Sequence, residues 1–368
     1  MADTVLVTGF PSFVARKMVE ELVREPETTI YCVVRQKSLE EARSVLDVLP
    51  LDQRRRIILL EGDAASIDLG LSGAELASIM PKIDFIHHLA QVSYMGAEEK
   101  LATYVNVGGA REILEVATLC PRLRCLVYHS TAQVSGNRTG LVLEDDLDKG
   151  QTFRNPVEET LARGERIVRS KMSKLPIAVV RPTMVVGDSR TGEVDRFDGP
   201  YFLILLIVTS PPDIPLPLPG RGDSALHLVP VDYYVRAARA IGRDPRAVGR
   251  TFHIGDPAAL TARRVFDLVA TAGGRRSPRG FIPANLTKAL LRTPGLDRVA
   301  KSPRAFLEAL ATPVTYSYTH TTELLADTDI RCPPFESYVE GLVEYVQVRL
   351  REKRARERDS GEVEDPLG

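Results

Sequence analysis

Residues 4–15 read Thr4-Val-Leu-Val-Thr8-Gly9-Phe10-Pro11-Ser12-Phe13-Val14-Ala15. The apolar run at their start predicts a short buried strand, and apolar residues at helical spacing from Val14 to Glu25 predict a helix. In a doubly wound sheet, the turn between the first strand and the first helix cradles the pyrophosphate of a dinucleotide. We therefore expect this turn to bind such a cofactor, through Gly9, Phe10, Pro11, Ser12 and Phe13.

The same alternation of strands and helices continues along the first half of the chain. Helices are predicted at Tyr104–Thr118 and Pro156–Ser170. Further buried strands are predicted at Thr29–Val34, Arg56–Leu60, Phe85–Leu89, Leu126–His129 and Ile177–Val180. Alternation of this kind indicates a parallel sheet with helices on both faces. The predicted fold class is α/β, a doubly wound parallel sheet of the Rossmann type with a smaller C-terminal substrate lobe.

The character of the sequence changes after residue 182. Asp188–Gly199 is polar, and the five prolines of Pro211–Pro219 exclude a helix there. Amphipathic helices are predicted at Val231–Ile241 and Thr261–Ala272, with further helical stretches within Phe281–Ala311. We predict a dinucleotide-binding domain over residues 1–185, its sheet completed by segments around 225–260. A substrate lobe is predicted over 186–225 and 260–348, and a charged tail over 349–368.

The composition narrows the class of protein. The 368 residues include 48 Lys and Arg against 49 Asp and Glu, so the net charge of −1 gives no sign of a nucleic-acid partner. Four cysteines form no C-x-x-C pair and no metal-ligand spacing with the six histidines, so we expect no bound metal and a reducing, cytoplasmic location. The longest apolar run, Tyr201–Val208, is shorter than the roughly 20 residues of a membrane span, and the first residues show no secretory signal. No integral membrane segment is expected.

The first turn departs from the glycine pattern of dinucleotide-binding proteins. Its spacing resembles the T-G-x-x-G-x-x-G fingerprint of short-chain dehydrogenases, but Ser12 and Ala15 stand at the second and third glycine positions. Arg35 ends the second strand, with Lys37 beside it, and cations at this position suit the additional phosphate of NADP. Asp63 follows the third strand, where its carboxylate can accept from the adenine amino group. We therefore expect NADP(H) in preference to NAD(H).

Six segments match one family in order and spacing. They are Gly62-Asp63 with Leu69-Gly70-Leu71-Ser72, His88-Leu89-Ala90, Asn106-Val107 with Gly109, Ser130-Thr131-Ala132 closing at Gly136, Arg181-Pro182 with Val186-Gly187, and Val229-Pro230-Val231-Asp232. On these motifs the chain resembles the extended short-chain dehydrogenase/reductases over about residues 4–260. The resemblance is to the branch that contains fatty acyl-CoA reductases and the thioester-reductase domains of carboxylic acid reductases. Thr312-Pro-Val-Thr-Tyr316 also looks like the helical end of such proteins.

The resemblance implies roles for particular residues. The positions that would line the nicotinamide side of the cofactor groove are Leu89, Ala90, Gln91, Pro182 and Thr183. Asn106 would organise an active-site water, and the Thr131 hydroxyl would hydrogen-bond the substrate carbonyl. Tyr201, at the start of an apolar segment, would border a pocket for a small-molecule substrate. A homodimer is expected by analogy with relatives that pair through helices of the dinucleotide-binding half.

The resemblance also reveals a missing acid. Members of the family protonate the carbonyl oxygen with a Tyr whose pKa is lowered by a Lys four residues later. In the segment 153–168, Val157 falls on the Tyr position and Leu161 on the Lys position, and no Y-x-x-x-K occurs anywhere in the chain. The proton would then come from another donor, for which the candidates are Tyr94, Glu158, Tyr201 and water.

Three functions stay open on the sequence alone. The first is an atypical NADPH-dependent reductase that acts on a lipophilic small molecule or an acyl or carbonyl-type electrophile. Iminium, epoxide and conjugated-alkene substrates also fit, and loss of a general acid, worth about 10² to 10⁴ in rate, need not abolish reduction. The second is a non-catalytic sensor or regulatory protein that binds NADP(H) or another ligand. The third is a redox-neutral isomerase or lyase on the same scaffold.

Overall fold

The computed structural model describes residues 3–94, 96–197, 199–210, 218–219, 221–277, 280–282, 310 and 312–360. Its strands are β1 Thr4–Thr8, β2 Thr29–Val34, β3 Ile57–Glu61, β4 Phe85–His88, β5 Cys125–His129, β6 Gly140–Val142, β7 Ile177–Pro182, β8 Met184–Val186, β9 Leu218–Pro219, β10 Leu228–Pro230, β11 Thr251–Ile254, β12 Phe281–Ile282 and β13 Val314–Tyr316. Seven of them form one parallel sheet in the order β11-β7-β5-β4-β1-β2-β3. The doubly wound α/β fold predicted from the sequence is confirmed.

Helices cover both faces of this sheet. They are α1 Phe13–Leu22, α2 Leu39–Asp47, α3 Leu51–Arg54, α4 Gly73–Ile79, α5 Glu99–Ala102, α6 Gly109–Thr118, α7 Pro156–Arg169, α8 Pro200–Thr209, α9 Val231–Arg243, α10 Ala262–Ala272, α11 Thr319–Leu325 and α12 Val339–Ser360. A π-helical turn, Thr103–Gly108, joins α5 to α6. The helix predicted to begin at Tyr104 therefore begins within this wider turn.

Alternation along the strands divides the core into two layers. Val5 and Val7 face a cluster that includes residues of α1 and α9, whereas Leu6 between them faces a cluster that includes residues of α6. Side chains of a strand point alternately to opposite faces, so one strand supplies both layers. Such double burial explains why the central strands are nearly continuous apolar runs.

A separate apolar cluster lies beyond the sheet. Residues of α8, α10 and α12 pack together there, around buried side chains such as Phe266 and Leu342. Three further pairs of short parallel strands form outside the central sheet, namely β8 with β10, β9 with β12 and β6 with β13. No helix of the described residues is long and apolar enough to cross a membrane.

Two segments of the second half can be located more closely. Phe281–Ile282, at the start of the range expected to contain helical stretches, forms a strand paired with β9. The charged run from residue 349 onward continues α12 as far as Ser360. The predicted helices over 283–309, the proline-rich residues 211–217 and the end of the tail, 361–368, lie outside the described residues.

Candidate active site

The turn after β1 has a conformation that only glycine can hold at its first position. Gly9 has a φ of +88°, and a Cβ there would lie 2.7 Å from the backbone carbonyl carbon of Leu89 and 2.8 Å from the Ala90 nitrogen. The Ser12 N–H donates to the Gly9 carbonyl at 3.0 Å and closes the turn. The predicted phosphate turn therefore packs directly against the predicted nicotinamide-lining segment after β4.

Thr8, just before this turn, also holds the segment after β4 in place. Its Oγ1 accepts from the Ala90 N–H at 3.2 Å and lies 3.0 Å from His88 Nδ1. Phe10 and Phe13 are buried in the core beside α1, whereas the Ser12 side chain is exposed. Ser12 is the N-cap residue of α1, but its hydroxyl makes no capping hydrogen bond to the helix.

A cavity of about 290 Å³ opens at the carboxyl ends of the strands. This is the edge where ligands of doubly wound sheets bind. The cavity brings together seven of the residues predicted for the site, namely Phe13, Gln91, Tyr94, Thr131, Pro182, Thr183 and Tyr201. Leu89 and Ala90 lie two residues and one residue before Gln91 in the same segment.

Two buried polar atoms in this cavity wall have no hydrogen-bond partner among the described residues. They are Gln91 Oε1 and Thr183 Oγ1. A buried polar group without a partner costs about 1–3 kcal/mol, so such groups are usually satisfied by a ligand or water. The carboxamide of a nicotinamide ring carries both N–H donors and a carbonyl acceptor. The two residues therefore fit that group, as the sequence resemblance implied.

The residues predicted to bind the additional phosphate of NADP and the adenine follow the ends of β2 and β3. Arg35 and Lys37 are exposed after β2, and neither side chain makes an ion pair or hydrogen bond among the described residues. Asp63, after β3, accepts from the Ala65 N–H at 3.0 Å through Oδ1. The second carboxylate oxygen of Asp63 can still accept from a ligand.

Thr131 and Asn106 differ in how far their contacts support the predicted roles. Thr131 lines the cavity, and its Oγ1 accepts from the Gln133 N–H at 3.2 Å, which leaves its hydroxyl able to donate. Asn106 is buried and binds protein on all sides. Its Oδ1 accepts from the Val92 N–H at 2.7 Å, and its Nδ2 donates to the Val92 carbonyl and to Thr160 Oγ1. Asn106 therefore anchors the segment after β4, and its role in organising a water stays a prediction.

The two predicted tyrosines have different environments. Tyr94 is 42% exposed at the cavity edge. Tyr201 is 2% exposed, and its hydroxyl accepts from the Gly187 N–H at 2.7 Å. Burial raises the pKa of Tyr201 well above its usual value. The Tyr201 phenol is therefore part of the cavity wall and holds the turn at Gly187.

Val157 and Leu161 lie in the first half of α7, which begins after the cap formed by Asn155. Both are buried, at 0% and 2% exposure, in a cluster with Ala102, Val134 and Ala162. Asn155 Oδ1 accepts from the Glu158 N–H at 3.0 Å. The α7 positions that would carry the acid and its lysine are thus filled by packed hydrocarbon.

The segment that borders the cavity on the lobe side is tied to α1. Val194, Asp195 and Arg196 line the cavity, and Asp195 pairs with Arg16 at 3.1 Å. Glu193 pairs with Lys17 at 2.6 Å. Two ion pairs therefore connect the lobe to the helix that follows the phosphate turn.

Two groups in the site were not predicted from the sequence. Tyr234 of α9 lines the cavity, and its hydroxyl is 2.6 Å from His129 Nδ1. His129 Nε2 lies 3.0 Å from His87 Nδ1. Burial, with the charge of Arg243, lowers the pKa of His87 to about 3, so this chain of side chains is neutral. The helical periodicity of α9 marked Tyr234 as an inward position, but nothing local to it indicated a histidine partner.

The second group is a buried ion pair under the cavity floor. Arg181 of β7 and Glu165 of α7 are both 0% exposed and bonded to each other. Ser130, which lines the cavity, donates to Glu165 Oε2 at 2.6 Å. The sequence signal was present, since each charge interrupts an apolar pattern, but the pairing is visible only in three dimensions.

The model of an NAD-binding family described as "Male sterility protein" matches residues 7–238. Fatty acyl-CoA reductase wat of Drosophila melanogaster is 27% identical over 281 residues, which cover 65% of this chain and 54% of the fly protein. A linear gramicidin synthase of Brevibacillus parabrevis is 26% identical over 359 residues, which cover 91% of this chain and 7% of that protein. The chain thus spans about half the length, or less, of these two relatives.

Solved structures share the fold. The terminal R domain of the myxalamid PKS-NRPS pathway superimposes with a TM-score of 0.80 at 24% identity, covering 95% of this chain and 91% of that domain. UDP-glucuronic acid 4-epimerase from Bacillus cereus, in complex with NAD, gives a TM-score of 0.67 at 16% identity. The superposition covers 94% of this chain and 99% of the epimerase. At these identities the likeness shows the architecture alone.

Proposed function

The chain belongs to the male sterility family of NAD-binding proteins, and we propose that it is an NADPH-dependent reductase of acyl thioesters or related carbonyl electrophiles. The observation that carries the proposal is the cavity at the carboxyl edge of the sheet. There the phosphate turn, the segment after β4 and the Thr183 position meet, with two buried polar atoms unpaired among the described residues. The name of one relative, a fatty acyl-CoA reductase, supports the substrate class.

The cofactor site is proposed from residues that this chain supplies. Gly9 and its turn would hold the pyrophosphate, and Gln91 with Thr183 would hold the carboxamide of the ring. When bound, the reduced nicotinamide supplies a hydride to an electrophilic carbon. Arg35 and Lys37, both exposed and unpaired among the described residues, would hold the additional phosphate of NADP. The Thr131 hydroxyl would orient the substrate carbonyl.

A lipophilic substrate is favoured by the apolar wall of the cavity. Its lining includes the apolar side chains of Val14, Met184, Val185 and Val194. Ligand sites are commonly lined by apolar side chains with a few polar groups that fix orientation. This division suits an acyl group whose chain lies on the apolar wall and whose carbonyl faces Thr131.

A non-catalytic binding protein is the second candidate. It is favoured by one observation, that Val157 and Leu161 are packed into the core and leave α7 without a proton donor or a ribose-binding cation. Reduction nevertheless remains the better proposal, because proximity and orientation of a hydride donor contribute far more to rate than general acid catalysis.

The deciding experiment measures NADPH consumption. The purified chain is incubated with NADPH and separate panels of acyl-CoA thioesters, aldehydes, quinones and epoxides, and the absorbance of NADPH is followed. We expect oxidation with thioesters or aldehydes and a slower rate with NADH. Tight NADPH binding with no oxidation by any panel would favour the binding protein instead.

Replacing Arg35 with Asp should reverse the preference for NADP(H) over NAD(H). A hydrogen bond to a charged group contributes about 1.5–3 kcal/mol, which corresponds to roughly 10- to 100-fold in affinity. Dissociation constants for NADPH and NADH are measured by fluorescence titration. Lys174→Asp is the charge-matched control, because Lys174 is exposed on the segment leading into β7, at the opposite end of the strands. Unchanged cofactor preference in Arg35→Asp would remove the basis for choosing NADPH.

A further inference from the structure

We propose that Tyr316 of β13 donates the proton that the reduction requires, in place of the tyrosine that α7 lacks. The inference rests on the proposed reductase function and deepens it by naming the acid. Tyr316 lies 148 or more positions from every residue of the family segment 153–168. The role proposed for Tyr316 therefore rests on its position in the folded structure and not on sequence spacing.

Tyr316 lines a side chamber, a small cavity that adjoins the main cavity. The chamber has a volume of about 40 Å³, and Tyr316 and Arg154 are among its lining residues. Gln133, Thr183 and Met184 line both the chamber and the main cavity. The two cavities therefore meet at these three residues, the first of which lies two positions after Thr131.

The chamber occupies the same corner of the fold as Val157. The Tyr316 and Ser135 hydroxyls are 3.2 Å apart, and Val134, next to Ser135, packs in the cluster that contains Val157. Arg154, three residues before Val157, donates to Thr312 Oγ1 at 3.2 Å. The same guanidinium pairs with Glu158 at 2.9 Å. β13, although distant in sequence, thus places the Tyr316 phenol near the start of α7, where Val157 stands at the family's tyrosine position.

Backbone pairing fixes this placement. β13 pairs with β6 in parallel, with Tyr316 opposite Val142, and the Gly140 N–H donates to the Pro313 carbonyl at 2.8 Å. The ring of Tyr316 meets the rings of His227 and His253 edge to face, with centroids 5.0 and 5.2 Å away. A side chain held on both sides in this way keeps its hydroxyl in one position, as a general acid requires.

The phenols of the main cavity are less suited to the role. Tyr201 accepts the Gly187 N–H and belongs to the wall. Tyr234 is 1% exposed and engaged with His129. Tyr94 is 42% exposed, with no hydrogen bond that fixes its hydroxyl among the described residues. Of these four phenols, Tyr316 is the one held beside the α7 start by a hydroxyl partner and a nearby guanidinium.

Burial keeps the Tyr316 phenol protonated. Burial raises the pKa of its phenol, the Ser135 bond and the cations Arg154 and Arg181 oppose that rise, and Glu158 adds to it. The net direction is upward, so the phenol holds its proton at neutral pH. An alkoxide is far more basic than a phenolate, and proton transfer to it from Tyr316 is favourable.

The proton transfer accompanies the hydride transfer. As the carbonyl carbon gains hydride from the reduced dinucleotide, the C=O π pair moves onto oxygen. The Tyr316 O–H bond breaks and a new O–H bond forms on the substrate oxygen. The Ser135 hydroxyl can donate to the phenolate that is left, and water entering after product release restores the phenol proton.

The test is Tyr316→Phe, which removes one oxygen atom and keeps the ring. We expect single-turnover NADPH oxidation to slow by about 10² to 10⁴. Binding of an unreactive amide analogue of the thioester to the NADPH complex should weaken about tenfold, as expected for one lost hydrogen bond, while the NADPH dissociation constant and Tm stay within error. Tyr338→Phe is the matched control, because Tyr338 is a phenol buried in the lobe core and lines neither cavity.

The outcomes separate this inference from the proposed function. If the unmodified protein oxidises NADPH and Tyr316→Phe does so equally fast, with the amide affinity unchanged, Tyr316 is not the acid and the reductase proposal stands. If the unmodified protein oxidises no NADPH with any thioester or aldehyde, the reductase proposal itself fails. Slowing in Tyr316→Phe together with weaker amide binding and unchanged NADPH binding supports the assignment.

Discussion

Gly9→Ala weakens dinucleotide binding by about two orders of magnitude. An alanine Cβ would lie 2.7 Å from the Leu89 carbonyl carbon, and the atoms it meets are backbone, which cannot rotate away. A residue other than glycine at a φ of +88° carries about 1–3 kcal/mol of strain. The turn and the segment after β4 must then separate, and both are proposed to contact the cofactor. A loss of roughly 3 kcal/mol corresponds to about a hundredfold in affinity.

The control for this substitution isolates the steric contact. Gly249 has a φ of +80°, but a Cβ there would meet nothing within 4 Å. Gly249→Ala therefore carries a similar backbone strain without displacing any part of the cavity. We expect Gly249→Ala to lower Tm slightly and to leave the NADPH dissociation constant unchanged, as measured by fluorescence titration. Equal affinities in Gly9→Ala and Gly249→Ala would show that the turn does not hold the cofactor.

Glu165→Ala removes about 3–5 kcal/mol from the free energy of unfolding. The substitution leaves the Arg181 guanidinium uncompensated at 0% exposure, and it also removes the acceptor of the Ser130 hydroxyl. Isolated buried charges are costly because burial strips water from the ion. Urea denaturation followed by circular dichroism measures the loss.

Arg166→Gln is the neighbouring control. Arg166 pairs with Asp148 at the surface, where both side chains are about half exposed. Surface ion pairs contribute about 0–1 kcal/mol, so this variant should unfold within that range of the unmodified protein. A small effect for Glu165→Ala, similar to that of Arg166→Gln, would mean that the buried pair is replaceable by packing and water.

The sheet could be predicted because its signals are local. Each central strand is a short run such as Thr29–Val34, buried on both faces, and the helix periods between the strands are unambiguous. The small parallel pairs could not be predicted in the same way. β6 and β13 are three residues each and are separated by about half of the chain, so no local pattern indicates that they meet.

The candidate site was predictable where it follows from the strand ends. Gln91, Thr131 and Thr183 come soon after strands, and parallel strands bring their carboxyl ends to one edge. The predicted role of Asn106 follows from the resemblance alone, whereas its side chain is buried and bonded to the backbone of Val92. Tyr316 was part of a recognised motif, but its relation to Val157 depends on tertiary packing.

The pairing of β13 with β6 affects the order in which the protein is assembled. Contacts between residues far apart in sequence close large loops and form slowly. Ser135 and Tyr316 are 181 positions apart, whereas the strands of the central sheet are complete by Ile254. During synthesis, the cofactor half has therefore left the ribosome before the segment that completes the side chamber. A fragment that stops short of Thr312 would contain the phosphate turn and every strand of the seven-stranded sheet, but it would lack Tyr316 and the core residues Leu324 and Leu325.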